Sequence, residues 1–205
     1  MQVKICGLTE TDSIKACIDN KADYCGFILN YPKSHRFINY DKAVELTNTP
    51  KSGTKYVGVL VSPTENELEK FSKLNLDYFQ IYGNYDKKNL QNIRSKYKKK
   101  IIMALQIKSK KDVFKYKTFE EVSDIILWDS SGLERSLSWN FEWIKSVPKH
   151  IIKMVAGNID INKLEMISKL ADIVDVSGAL EVNKVKDITK IKSFLNKIQK
   201  INDQN

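Results

Sequence analysis

The sequence predicts a compact (β/α)8 barrel forming one domain over residues 1–205, and three observations carry that expectation. Eight short β-type runs follow one another along the chain. Amphipathic stretches with helical spacing separate them. One final helical stretch follows the last run, as a repeated βα unit requires. A doubly wound open sheet would show the same alternation. The count of runs favours the barrel, and no GxGxxG fingerprint follows the first run. The chain is short for a barrel, for which about 250 residues is typical.

In chain order the runs are QVKIC (2–6), YCGFIL (24–29), KYVGVLV (55–61), DYFQIY (77–82), IIMALQI (101–107), DIILWD (124–129), IIKMVA (151–156) and DIVDVS (172–177). Several are apolar nearly throughout, as strands covered on both faces tend to be. Thr9 with Asp12 signals the start of the first helix. Ser62, Pro63 and Glu65 read as a capped start with proline at the first helical position, and Leu68, Phe71 and Leu74 then share a face. Ser109 with Asp112 is a further cap signal. In the last helix Ile188, Ile191, Leu195 and Ile198 form an apolar stripe.

Composition narrows the class. Hydrophobic residues make up 42% and charged residues 29%, as in ordinary globular proteins. No apolar run approaches the roughly 20 residues of a membrane span. The N-terminus carries no leader pattern, so a cytoplasmic protein is expected. Cys6, Cys17 and Cys25 are odd in number and form no CxxC pair, which argues against a disulfide framework and a zinc site. The only histidines, His35 and His150, are too few for most histidine-rich metal sites. The formal charge is +9. Yet the lysines are scattered, and the densest run, KYKKK at 96–100, reads as a solvated helix end before a strand. Without a recognised motif no nucleic-acid partner is expected, whereas a positive field suits a small anionic substrate.

A barrel carries its chemistry where strands end and loops begin. Cys6 ends run 1, Gly26 lies inside run 2 and Arg36 comes after it. Tyr82 ends run 4, Asp129 ends run 6, and Asp175 and Ser177 lie in run 8. Each residue also has a plain structural reading. A lone cysteine at a strand end is commonly a small core residue, the reading kept for Cys17 and Cys25. Asp129 could cap the next loop or helix. Arg36 could lie exposed on the surface, and His35 reads as a surface residue. Asp175 alternates with Val174 and Val176, so it either lines a site or holds a buried hydrogen bond.

KICGLT, SHRFI, VGV, FQIYG, LWDS, VAGNI and DVSGALE occur in that order. Together they make the chain resemble the phosphoribosylanthranilate isomerase family over essentially its whole length. The resemblance implies a (β/α)8 barrel of tryptophan biosynthesis, with no cofactor and no metal. It implies an Amadori rearrangement of N-(5′-phosphoribosyl)anthranilate by general acid and base. Cys6 matches the family's base and Asp129 its acid. Arg36 matches the arginine that grips the anthranilate carboxylate, with Tyr82 and Asp175 as further substrate contacts. Gly157, Asn158, Ser177 and Gly178 stand at the phosphate. Cationic neighbours and the start of the first helix are expected to lower the Cys6 thiol. An acid working near neutral pH needs burial or nearby negative charge. The implied partner is a small phosphorylated molecule, not nucleic acid or membrane, and the expected state is monomer or homodimer.

Four departures stand out. Tyr82 replaces the family's usual histidine. Asn158 replaces the second of paired glycines, and asparagine tolerates positive φ. Ser177-Gly178-Ala179 replaces Ser-Ser-Gly, where Ala179 is expected to be strained. After Asp129 the family's glycine-rich loop has become LERS at 133–136, with Glu134 adding negative charge and Arg135 offsetting it, before an FEW echo at 141–143. The rival readings are a barrel isomerase for another phosphorylated sugar and a non-catalytic barrel that binds an anionic partner.

Overall fold

The computed structural model describes residues 1–130 and 137–204. Within them eight parallel strands close on themselves in chain order. They are β1 Gln2–Cys6, β2 Tyr24–Ile28, β3 Lys55–Val61, β4 Tyr78–Tyr82, β5 Lys100–Gln106, β6 Ile125–Asp129, β7 Lys153–Val155 and β8 Ile173–Val176. Every expected run supplies a strand, although IIKMVA contributes only its middle. The ring closes where Val3 and Lys4 of β1 face Val174 and Asp175 of β8. Closure leaves no edge of the barrel sheet unpaired.

The two-residue period sorts side chains into two cores. Val57 and Val59 of β3, Ile102 and Ala104 of β5, and Ile125 and Leu127 of β6 fill the barrel interior. Their neighbours Tyr56, Leu60, Ile101, Met103, Ile126 and Trp128 pack outward against the crossovers. Lys4 shares the inward set of β1 with Cys6, and it is 0% exposed.

The helices are α1 Thr11–Asp19, α2 Tyr40–Thr47, α3 Glu65–Ser72, α4 Lys87–Tyr97, α5 Leu164–Ile167 and α6 Ile188–Asp203. After β5 and β6 the crossovers are 3₁₀ segments, Lys110–Thr118 and Phe141–Ser146. In the first of these Val113 and Tyr116 are the buried pair, and a three-residue turn keeps that spacing on one face. A two-stranded ribbon, β9 Glu181–Val182 and β10 Val185–Lys186, stands between β8 and α6.

Helix starts differ from expectation in two places. Glu10, not Thr9, is the residue before α1, and it makes no side-chain cap. Thr64 caps α3, with the Glu67 side chain reaching back to it. Ser62 instead sits at φ 43°, outside the helix. Asp112 does accept the Ser109 N–H, at 2.8 Å. Along α6, Phe194 and Ile201 join Ile191, Leu195 and Ile198 in the core. They turn the buried stripe away from Ile188, which is 39% exposed. KYKKK spans the exposed end of α4 and the start of β5, as expected.

At the N-terminal face a repeated device joins the strands. Asp23, Asp77, Asp124 and Asp172 immediately precede β2, β4, β6 and β8. Their carboxylates accept the N–H groups of Val3, Tyr56, Ile101 and Lys153 at 2.7–2.8 Å. Each therefore ties an even strand to the odd strand before it. Asp124→Ala should orphan the Ile101 N–H and lower stability by about 1–3 kcal/mol. Urea unfolding measures this, and a loss below about 0.5 kcal/mol would mean the clasp is idle.

Candidate active site

At the C-terminal rim the strand ends enclose a cavity of about 190 Å³. Cys6, Arg36, Tyr82, Asp129, Gly157, Asn158, Asp175, Ser177 and Gly178 all line it. They reach it from β1, β4, β6 and β8 and from the loops after β2, β7 and β8.

Cys6 ends β1 opposite Gly26 of β2. A Cβ at Gly26 would lie 2.9 Å from the Cys6 Sγ and 3.2 Å from the Lys4 Nζ. A glycine that weakens a strand interior here makes room for a thiol and an ammonium. Lys4 Nζ donates to Asp175 Oδ2 at 2.9 Å; the lysine is fully buried and the aspartate nearly so. Asp175 Oδ1 is buried without a hydrogen-bond partner among the described residues. Asp175 thus lines the cavity and holds a buried ion pair at once.

The cluster sets its own charge states. Burial disfavours the Lys4 ammonium, but Asp175 and Cys6 outweigh it and hold the lysine above its ordinary value. Burial raises Asp175, with Lys4 opposing. It also raises the Cys6 thiol, and the pull of Lys4 does not overcome it. The expected cation beside Cys6 is therefore present, yet desolvation wins and the expected lowering does not occur.

On the β4–β6 side, Tyr82 Oη donates to Asp129 Oδ2 at 2.8 Å. Gln80 Nε2 donates to Tyr82 Oη at 3.2 Å. Burial, then the Asp129 charge, pushes the Tyr82 hydroxyl well above its ordinary value, so it stays a donor. Asp129 is 5% exposed. Its neighbour Trp128 faces outward, stacked edge-on against Tyr116 and donating to the Val113 carbonyl at 3.0 Å.

Arg36 is not an isolated surface arginine. Its Nε and Nη2 donate to Glu181 Oε1 and Oε2 at 2.5 and 2.9 Å. Lys186, facing Glu181 across the ribbon, forms a further ion pair with it. His35, expected at the surface, brings Nε2 to 3.1 Å from the same carboxylate. Lys4 and Glu181 lie at the ends of KICGLT and DVSGALE, but neither is among the expected site residues, and Lys186 lies outside every motif. Glu181 and Lys186 flank Asn183 and Lys184, whose positive φ makes the two-residue hairpin turn that the sequence signals only weakly.

The residues expected at the phosphate adopt mixed geometry. Gly157 has φ 111° and Asn158 φ 48°. A Cβ at Gly157 would meet Ser130 Oγ at 2.8 Å and the Leu137 carbonyl at 2.9 Å. Trp139 Nε1 donates to the Ala156 carbonyl at 2.8 Å, and Asn158 Nδ2 to Ser138 Oγ at 2.9 Å. Ala179 is outside the positive-φ region, so the expected strain there is not found. Ser177 Oγ donates to the Cys6 carbonyl at 2.8 Å, which ties β8 to β1. The substituted stretch LERS, with Glu134 and Arg135, lies outside the described residues. The FEW echo opens the 3₁₀ segment Phe141–Ser146.

Among the described residues no group of three or more His, Cys, Asp or Glu side chains is placed to hold a metal ion. Nor is any described helix long and apolar enough to cross a membrane.

Comparison with known proteins gives consistent findings. The family model described as N-(5′phosphoribosyl)anthranilate (PRA) isomerase matches residues 3–197. N-(5′-phosphoribosyl)anthranilate isomerase of Thermoanaerobacter pseudethanolicus is 32% identical over 98% of this chain and 99% of its own. The enzyme of that name from Streptococcus mutans is 32% identical over 97% and 99%. The crystal structure of phosphoribosyl anthranilate isomerase from Thermotoga maritima superposes with a TM-score of 0.87 at 24% identity, covering 98% and 99% of the two chains. A further phosphoribosyl anthranilate isomerase, solved with reduced 1-(o-carboxyphenylamino)-1-deoxyribulose 5-phosphate, gives 0.85 at 23% identity with the same coverage.

Because the Cys6 thiol is raised, its reactive thiolate grows only as pH climbs past the ordinary thiol value of about 8.5. Alkylation of Cys6 by iodoacetamide, followed by peptide mass spectrometry, should be slow at neutral pH and accelerate above about pH 9. Lys4→Met should move that midpoint still higher. A midpoint below about 8.5 would contradict the balance of burial over charge.

Proposed function

The chain belongs to the N-(5′-phosphoribosyl)anthranilate isomerase family, and from that premise we propose how its residues divide the work. It isomerises N-(5′-phosphoribosyl)anthranilate to 1-(2-carboxyphenylamino)-1-deoxyribulose 5-phosphate, an aldose-to-ketose step of tryptophan biosynthesis. The observation that carries our division of labour is the convergence of Cys6 and Asp129 on one cavity, beside a guanidinium.

Asp129 is the general acid. It protonates the ring oxygen, the bond from that oxygen to C1 breaks, and the anilino nitrogen's lone pair forms the C1–N double bond. Tyr82, donating to Oδ2, fixes the carboxyl's orientation. Cys6 is the general base. As thiolate it removes the C2 proton. The C2–H electrons form C1=C2, and the C1–N π electrons return to nitrogen. The resulting enolamine gives the ketone when the proton of its C2 hydroxyl is lost and C1 is protonated. Acid and base sit on β6 and β1, with β7 and β8 between them along the wall, which suits proton transfers at different sugar atoms. The Lys4 ammonium, beside the Cys6 Sγ, favours the thiolate that the second step needs.

Arg36 holds the anthranilate carboxylate through paired hydrogen bonds. Gly157, Asn158, Ser177 and Gly178 form the phosphate end, where backbone N–H groups suit an anion. Asp175 contributes through its pair with Lys4. The biosynthetic role supports a cytoplasmic location.

The test is turnover of freshly prepared phosphoribosylanthranilate, followed by loss of its fluorescence. Cys6→Ser and Asp129→Asn should each cut kcat by about 10²–10⁴ with the fold intact. Near-normal rates from either would end the assignment of base or acid. Arg36→Ala should raise KM by about 10-fold or more, since a charged hydrogen bond is lost; an unchanged KM would remove the clamp.

A further inference from the structure

We propose that Glu181 is a positioning residue for the carboxylate clamp: the ribbon β9–β10 holds Arg36 from behind so that its free edge meets the substrate. The inference rests on the reading of Arg36 given above and extends it to residues outside the cavity. Arg36 lines the cavity, whereas Glu181 does not. Glu181 therefore approaches the guanidinium from the side away from the substrate, which is the geometry of a support and not of an occupant.

The donor count agrees. A guanidinium has five N–H donors in one plane. Glu181 engages Nε and Nη2. The edge formed by Nη1 and the second Nη2 hydrogen remains, and it offers two parallel donors to a second carboxylate. The arginine's path is equally confined. A Cβ at Gly7, which has φ 75°, would lie 2.3 Å from the Arg36 Cδ, and one at Gly178 would lie 3.3 Å from Nη2. Two glycines thus give the side chain a channel across the ends of β1 and β8, and Glu181 fixes its tip.

Glu181 is itself held. Lys186 pairs with it across the ribbon, and Lys186 Nζ also reaches Ser177 Oγ at 3.3 Å. Lys190 Nζ donates to the Glu181 carbonyl at 2.9 Å. Burial raises the Glu181 carboxyl, but Arg36 and Lys186 reverse this and bring it down to about 2. It is therefore an anion at any working pH. A flexible arginine ordered before substrate arrives has less freedom to lose on binding.

Steady-state kinetics of wild type, Glu181→Ala, Arg36→Ala and the double variant test the proposal. Glu181→Ala should raise KM about tenfold and change kcat less than about threefold. In the Arg36→Ala background the same substitution should change KM less than about twofold, because its target is gone. Glu181→Gln keeps the shape and loses the charge. It should give an intermediate KM, and it serves if the alanine variant does not fold. An unchanged KM, a lowered KM (Glu181 competing with substrate) or full additivity in the double variant would overturn the proposal. If Arg36→Ala alone leaves KM unaltered, the clamp itself fails, and the support falls with it.

Discussion

Barrel closure between β1 and β8 is the constraint from which the site is built. It brings Lys4 beside Asp175, residues at opposite ends of the chain, and buries the pair beneath the cavity, with only Asp175 reaching its lining. Such a pair is weak evidence of stability in itself, since desolvation consumes most of its attraction. Its effect is positional. The ammonium is held between a carboxylate and the Cys6 thiol, and Gly26 on the next strand leaves the space for both. A one-residue slip of β1 would turn Lys4 and Cys6 out of the interior together.

The two faces of the barrel divide their duties. At the N-terminal face, aspartates accept backbone N–H groups and set strand starts, and Asp77 and Asp124 also pair with Lys51 and Arg94. At the C-terminal face, polar and charged groups answer one another through side chains: Lys4 with Asp175, Tyr82 with Asp129, and Arg36 and Lys186 with Glu181. That division suits an architecture whose chemistry sits on one rim.

Much of this was legible in the sequence, for reasons specific to each element. The strands announced themselves by apolar runs bounded by turns. Cys6, Asp129 and Arg36 were marked by where they fall relative to strand ends. The crossovers after β5 and β6 were misjudged, because a spacing of three residues fits an α-helix and a 3₁₀ turn alike. Lys4 opens KICGLT yet was given no role, since a lysine next to a strand's apolar residues reads as solvent-facing and its partner lies at the far end of the chain. Glu181 and Lys186 sit on strands of two residues, too short to show any period. The cap of α3 was read two residues early because Ser62 and Thr64 are both competent, and only φ decides between them.

The four N-terminal clasps give the barrel a grammar of pairs. Each joins β1 to β2, β3 to β4, β5 to β6, or β7 to β8, and each lies within one crossover of the chain. The molecule is in that sense four stitched quarters, joined to one another by backbone hydrogen bonds such as Lys55 N–H to the Asp23 carbonyl. New termini opened after β2, β4 or β6 would leave every clasp within a continuous stretch of chain. An opening inside a quarter would part a clasp's two halves to opposite ends of the permuted polypeptide. The places where this chain can be re-cut are thus written in which aspartate reaches backwards, and to which strand.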